Sequence, residues 1–351
     1  MARTAIVLFN LGGPDSLDAV EPFLFNLFND PAIIRLPRLL RRWVAGKISR
    51  RRAPIAQDIY RRIGGKSPIV EQTQAQAEAL QAALSDLGHV RVFIAMRHWH
   101  PRSDVTALEV RGFAPDNIVL LPLYPQFSTT TTKSSLIDWY SAAKNTGLLA
   151  PRVTNTAICC YATAEGFIAA QAELIEPLLS EAVAGGPVRL LLSAHGLPER
   201  IVKRGDPYAW QVEQTAAGIA ARLGAADLDW RLCYQSRVGP MKWIGPATDD
   251  EIRRAGEDGV ALVVAPIAFV SEHSETLVEL DIEYRDLAKS CGVPAYHRAP
   301  AVGCHPAFIS ALAELARQSL RRASTASNSM FSLSNKRVCP GALSGCPLSA
   351  D

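Results

Sequence analysis

Apolar runs of strand length recur along this chain, and segments of helical period separate them. Thr4 to Phe9, Val90 to Ala95 and Asn117 to Leu123 form a first set of predicted strands. Helices are predicted beside them at Ser16 to Asn29, Ile69 to Leu87 and Lys133 to Ala143. A second set follows, with strands at Thr154 to Cys160, Val188 to Leu192, Trp230 to Tyr234 and Val260 to Pro266. Its helices are predicted at Gly166 to Ala184, Trp210 to Leu223, Asp249 to Ala255 and Thr276 to Lys289. Strands apolar on both faces belong to parallel sheets covered by helices on either side. The expectation is an α/β protein of two similar doubly wound domains, residues 1–150 and 151–305, with the seam near 145–153. A last helix, Pro306 to Arg322, starts with proline at a favoured position. It is expected to pack back near the first domain. The Ser- and Asn-rich tail, 323–351, is expected to be irregular.

Charge narrows the function classes. The net charge of +3 over 351 residues argues against general nucleic-acid binding. The basic excess is local, however: eight Lys or Arg and no acid lie between Arg35 and Arg52, interleaved with Leu36, Leu39, Leu40, Trp43, Val44 and Ile48. Two readings fit residues 32–52: a peripheral contact with an anionic membrane, or a solvated helix with an apolar underside. No run of apolar residues is long enough to span a bilayer. The first strand begins almost at once, which leads us to expect a cytoplasmic protein, at most peripheral to the inner face of the membrane. In that compartment the seven cysteines read as thiols or metal ligands.

Two glycine-bearing segments fail as nucleotide loops. Asn10-Leu-Gly-Gly-Pro14 lacks the G-x-G-x-x-G spacing, and Gly65-Lys-Ser67 lacks the earlier glycine and is followed by Pro68. The glycines of the first segment are expected to form a tight turn at the mouth of a cleft. Zinc-type C-x2-C and H-E-x-x-H patterns are missing as well.

The residues suited to chemistry follow two predicted strands. His195 stands in Ser193-Ala-His-Gly-Leu-Pro198, just past a strand end, where open α/β sheets bind ligands. Its imidazole is suited to proton uptake near neutral pH or to a divalent metal. The second segment, Ser271-Glu-His-Ser-Glu-Thr-Leu-Val-Glu279, places Glu275 and Glu279 on one helical face, where they repel unless a proton or cation intervenes.

These segments resemble the ferrochelatase family. Gly205-Asp-Pro-Tyr208, Gln235-Ser-Arg-Val-Gly-Pro-Met-Lys-Trp-Ile-Gly-Pro246, Tyr60-Arg-Arg-Ile-Gly-Gly65, Leu123-Tyr-Pro-Gln126 and the second segment taken from Phe269 to Tyr284 add to the resemblance, which runs in order over residues 4 to 320. It implies two chelatase-like domains and insertion of ferrous iron into protoporphyrin IX, most as in bacterial members. By the same resemblance His195 and Glu275 form the central pair, serving as iron ligands or as bases for the pyrrole protons. His273 and Glu279 continue that polar track, and Leu11, Arg97, His98, Tyr124 and Trp243 line the macrocycle. His98 stands where the family usually has tyrosine. Some members bind a [2Fe-2S] cluster through C-terminal cysteines; here Cys339 and Cys346 would need Cys159 and Cys160 to complete four ligands. Two other classes remain open: insertion of cobalt or nickel into a related tetrapyrrole, and a porphyrin carrier without turnover.

Overall fold

The computed structural model describes residues 2–149, 153–224, 228–237, 239, 241–323, 329–333 and 337–348. The chain begins β1 (Arg3–Asn10), α1 (Val20–Phe28), α2 (Arg38–Arg61), α3 (Ile69–Ala83), β2 (His89–Met96) and α4 (Ser103–Phe113). It continues through β3 (Asn117–Pro122), α5 (Thr132–Asn145), β4 (Thr154–Ile158), α6 (Glu165–Val183), β5 (Val188–His195), α7 (Glu199–Val202) and α8 (Tyr208–Arg222). Then come β6 (Asp229–Gln235), α9 (Thr248–Asp258), β7 (Ala261–Pro266), a π-helix (Glu275–Glu283), α10 (Tyr284–Ser290) and β8 (Tyr296–Arg298). The last described elements are α11 (Pro306–Ala323) and β9 (Ser329–Phe331).

Two parallel sheets result, in the orders β2-β1-β3-β4-β9 and β6-β5-β7-β8. Each helix-bearing connection returns the chain to the same end of its sheet, so every named pair runs parallel. Successive residues of β1 point to opposite faces. Ile6 and Leu8 join a core that runs on through Phe167, Phe308, Leu192 and Val263, so one apolar body connects both lobes. Phe9 faces the other way, edge-on to the fully buried Trp139 with ring centroids 5.7 Å apart. Burying one such side chain stabilises the fold by roughly 1.5–3 kcal/mol.

Two expectations need correction. The segment from Thr154 was expected to open the second sheet, but β4 pairs with β3 in the first. Its sheet is set by where the flanking helices pack, which apolarity alone does not encode. The tail is not wholly irregular either: Ser329–Phe331 adds a strand beside β4, in register Thr156 with Ser329. Helix α11 lies against α3, α6, β3 and β4, and so reaches the first lobe.

Strand order now points to a candidate site. In both sheets the chain reverses direction of growth beside its first strand, between β1 and β3 and between β5 and β7. Doubly wound sheets bind ligands in the crevice beyond the carboxyl ends of such strands. The loops there are Leu11–Gly13 and Leu123–Tyr124 in one lobe, and His195–Gly196 and Phe269–His273 in the other. Glutamines stitch the lobes together. Gln76 of α3 donates to the carbonyls of Val270 (2.7 Å) and Gly303 (2.9 Å), and Gln126 donates to Thr215 (2.9 Å).

Candidate active site

His195 is the last residue of β5, and its ring is held from two sides. Nδ1 lies 3.0 Å from Glu275 Oε2, and Phe269 meets the ring edge-on at 6.3 Å. Its own carbonyl accepts a hydrogen bond from the Tyr208 hydroxyl at 3.0 Å. Gly196 follows because a side chain there would press on the Gln235 carbonyl (3.0 Å) and on Trp243 (3.3 Å). The absence of that side chain lets Trp243 lie against the backbone beside His195. At the opposing switch point Gly12 turns with φ +80°, and a side chain there would stand 3.0 Å from both Met96 and Trp99. The tight turn expected from sequence is therefore present.

Glu275 opens the π-helix. Bonding from i to i+5 widens its turns, a form that recurs at functional sites. Burial works against the charge on Glu275, but His195 and then His273 outweigh it and pull the carboxyl down to about 2. Burial likewise disfavours the imidazolium of His195, yet the Glu275 carboxylate, helped by Glu279, raises its pKa above the ordinary value. His273 goes the other way: burial dominates and lowers it. Its Nδ1 accepts from the Glu275 amide at 3.2 Å, and Phe269 packs edge-on at 4.5 Å. The pair thus favours opposite charges on its two members: Glu275 stays ionised and draws a proton toward His195, while burial favours the neutral form of His273.

Glu279 has more donors than its neighbours. The Ser236 amide (2.8 Å) and hydroxyl, the Gln235 amide nitrogen (3.1 Å) and the Tyr284 hydroxyl (3.0 Å) all point at it. Burial and the nearby Glu275 charge still raise its pKa. Ser236 makes these bonds from a left-handed backbone, φ +63°. Gln235, Ser236, Tyr208 and Tyr284 were not singled out from sequence as site residues. All four stand in segments that carried the family resemblance, which is the signal that pointed to them.

The other wall departs from expectation. Leu11 and Tyr124 are half-buried at their strand ends. Arg97, however, is occupied: its guanidinium meets Asp30 at 2.9 Å, Asp138 at 3.5 Å and the Ser134 hydroxyl at 2.7 Å. The His98 ring is only 1% exposed, with Nε2 turned toward Asp30 at 3.8 Å. Burial, then the Arg97 and Arg102 charges, lower its pKa well below the ordinary value. His98 therefore stands inside the wall, where a neutral imidazole suits the buried acid and guanidinium, and does not present its ring to open space. A separate groove of about 420 Å³, lined by Asp15, Ser67, Glu71, Trp99 and His100 among others, holds none of the candidate catalytic residues.

The tail brings its thiols to the body. Gly345 donates to the Gly205 carbonyl at 2.9 Å, an approach that a side chain at either glycine would block. Cys159, Cys160, Phe127, Met330 and Leu348 form one apolar cluster. The Gln211 amide donates to Cys160 Sγ at 3.5 Å and to Cys339 Sγ at 3.3 Å. The Cys339 and Cys346 thiols interact, which lowers Cys346 to about 6 and pushes Cys339 up. Strand β4 ends at Ile158, so strand alternation does not force Cys159 and Cys160 apart. Among the described residues, no three His, Cys, Asp or Glu are arranged as a ready metal site.

The ferrochelatase family model matches residues 3–320. A ferrochelatase of Phenylobacterium zucineum is 52% identical over 98% of this chain and 97% of its own length. One from Caulobacter vibrioides is 52% identical over 92% of this chain and 91% of its own. Among solved structures, SirB from Bacillus subtilis with Fe3+ superposes with a TM-score of 0.54 at 14% identity, covering 92% of this chain and 96% of its own, a likeness of fold alone. With near-complete coverage at this identity, the chain belongs to the ferrochelatase family.

Proposed function

We propose that the protein inserts ferrous iron into protoporphyrin IX, releasing two protons and forming protoheme, the closing step of heme biosynthesis. The observation that carries this reading is the His195–Glu275 pair, 3.0 Å apart at a switch point. Its members have pKa values driven apart, one up and one down. His195 is the base that takes the pyrrole protons, since its Nδ1 is committed to Glu275 and Nε2 is left for substrate. Glu275 stays ionised and offers its other oxygen to the incoming ferrous ion. Imidazole and carboxylate suit that ion without trapping it. Glu279 and His273 extend the polar track, while Leu11, Tyr124 and Trp243 supply the apolar slot for a flat macrocycle. Arg97 and His98 support that wall from behind. An anaerobic assay with protoporphyrin IX and ferrous iron tests the reading by the appearance of the protoheme spectrum. Binding without conversion would indicate a carrier, and conversion only with cobalt or nickel and another tetrapyrrole would indicate a different chelatase.

The four thiols support a [2Fe-2S] cluster held by Cys159, Cys160, Cys339 and Cys346. Cys159 and Cys160 share an apolar cluster with Leu348 of the tail, one amide donor reaches both Cys160 and Cys339, and the count matches the four ligands such a cluster takes. When bound, the group supplies one-electron chemistry; the protein's part is to bring the tail onto β4 and shield the site from water. Purified protein is expected to be reddish, with iron and acid-labile sulfide in equal amounts and colour lost on chelation. Colourless, fully active protein lacking both would sink this reading.

A membrane contact through residues 32–52 is supported by how α2 lies. Its underside buries the small residues Ala45, Ser49 and Ala53, whereas Leu39 (83% exposed) and Trp43 (58%) face outward among the basic residues. No described helix is long and apolar enough to cross a membrane. The proposed occupant of this face is an anionic lipid surface, which complements its charge and would hold a cytoplasmic protein at the inner membrane. Co-sedimentation with phosphatidylglycerol vesicles is expected to fall several-fold in Trp43→Ser and at high salt. Equal binding to neutral vesicles would overturn it.

A further inference from the structure

Two further acids of the candidate active-site segment, Glu272 and Asp281, meet at one guanidinium. Arg298, the last residue of β8, donates through Nη1 to Glu272 at 2.5 Å and through Nε to Asp281 at 3.0 Å. Its Nη2 also reaches Asp281. The side chain is 9% exposed, and Glu272 is 15% exposed. Glu272 precedes the π-helix and Asp281 lies near its far end, so one fork spans the turns that carry Glu275 and Glu279. Glu272 has further ties. Its amide donates to Gln72 of α3 at 2.7 Å, and its Oε1 accepts from the Ala301 amide at 2.9 Å. Beside it, the Ser271 hydroxyl donates to Gln76 of the same helix at 3.1 Å.

We propose that Arg298 is a positioning residue for iron insertion: by gripping Glu272 and Asp281 it holds the π-helix in the winding that faces Glu275 toward His195. The physical argument is one of length and rotation. Rewinding the segment to i→i+4 bonding would narrow its turns, lengthen it, and carry Asp281 away from Glu272. The same change would swing Glu279 about the axis relative to Glu275 and out of the Gln235–Ser236 cradle. A guanidinium that holds both ends opposes that rewinding, and its bidentate hold on Asp281 fixes direction as well as distance. Because Glu272 is also held by α3, the grip ties the carboxylates to the first lobe, whose loops form the other wall. The position of Glu275 is thereby set by contacts from both lobes.

The inference rests on the iron-insertion reading, and its test separates the two. Arg298→Met, Arg298→Lys and the milder Asp281→Asn are compared with wild type for kcat, KM for porphyrin, thermal midpoint and hydrogen exchange of residues 273–284. In each variant kcat is expected to fall about tenfold or more, as a displaced reacting group would cause, with KM within about twofold. Exchange at 273–284 is expected to quicken at least tenfold while β5 and β7 stay protected. Lysine is expected not to rescue, since an ammonium cannot fork between two carboxylates. Unchanged exchange at 273–284, wild-type kcat in Arg298→Met, full rescue by lysine, or exchange quickened equally throughout the second sheet would each overturn the clamp. Absence of protoheme with the wild-type protein would instead remove the iron-insertion reading, and the exchange result would still judge the clamp.

Discussion

Replacing His195 by Ala is expected to lower kcat for iron insertion about a thousandfold, the range that loss of a positioned base covers. Porphyrin binding should change little, because the residues proposed for the apolar slot, Leu11, Tyr124 and Trp243, lie on other elements. The fold should also survive. His195 ends β5, its side chain is 35% exposed, and the strand hydrogen bonds it makes belong to the backbone. The Tyr208 hydroxyl bonds the His195 carbonyl, which alanine retains. Glu275 does lose its partner, but a carboxylate about one-third exposed keeps access to water. The thermal midpoint is therefore expected to move by only a few degrees. Steady-state protoheme formation, porphyrin fluorescence quenching and a melting curve check the three parts. Turnover within tenfold of wild type would remove His195 from its role as base.

Much of this frame was legible in the sequence because parallel strands buried on both faces read as unbroken apolar runs. β1, buried from Thr4 to Asn10, and β7, buried throughout, are the plainest cases. His195 and the Glu275–Glu279 pair were legible for another reason: they follow such strands, where a cleft is expected. Sheet membership was less legible, and β4 was assigned to the wrong sheet, because pairing depends on contacts far along the chain. The winding of Glu275–Glu283 was hidden too. Apolar periodicity predicted an ordinary helix from Thr276, whereas the wide turns depend on Arg298, which arrives only after α10. Arg97 and His98 show the same limit. Their partner Asp30 lies in the loop after α1, so nothing local to Arg97-His-Trp-His100 reveals that the guanidinium is already paired. Helix α4 escaped notice because Asp104, Glu109, Arg111 and Gly112 leave it only a thin apolar stripe.

Replacing Glu275 by Gln is expected to lower kcat about a hundredfold and to shift the acid limb of the pH profile to lower pH. The sign follows from the pair. Burial opposes the His195 imidazolium, and Glu275 is the principal charge that overcomes it. With the carboxylate present, the neutral ring able to accept a pyrrole proton predominates only above a raised pKa. With glutamine in its place burial remains while the main opposing charge is gone, so the ring loses its proton at lower pH. The rate falls because the same change removes the anionic oxygen offered to iron; the pH shift and the rate loss thus have one origin and separate readouts. Stability follows the same linkage. The His195 contribution is full below its ordinary value of 6.5 and is lost as pH rises through the raised pKa. That of Glu275 is full above its ordinary 4.5 and is lost as pH falls through about 2. Between those ordinary values both are present, so Glu275→Gln should destabilise the protein most near pH 5 to 6 and progressively less above the raised pKa of His195. Melting curves at matched ionic strength and kcat/KM from pH 5 to 9 provide the check. An acid limb unmoved in the variant, alongside a pH-independent stability loss, would show that Glu275 does not set the protonation of His195.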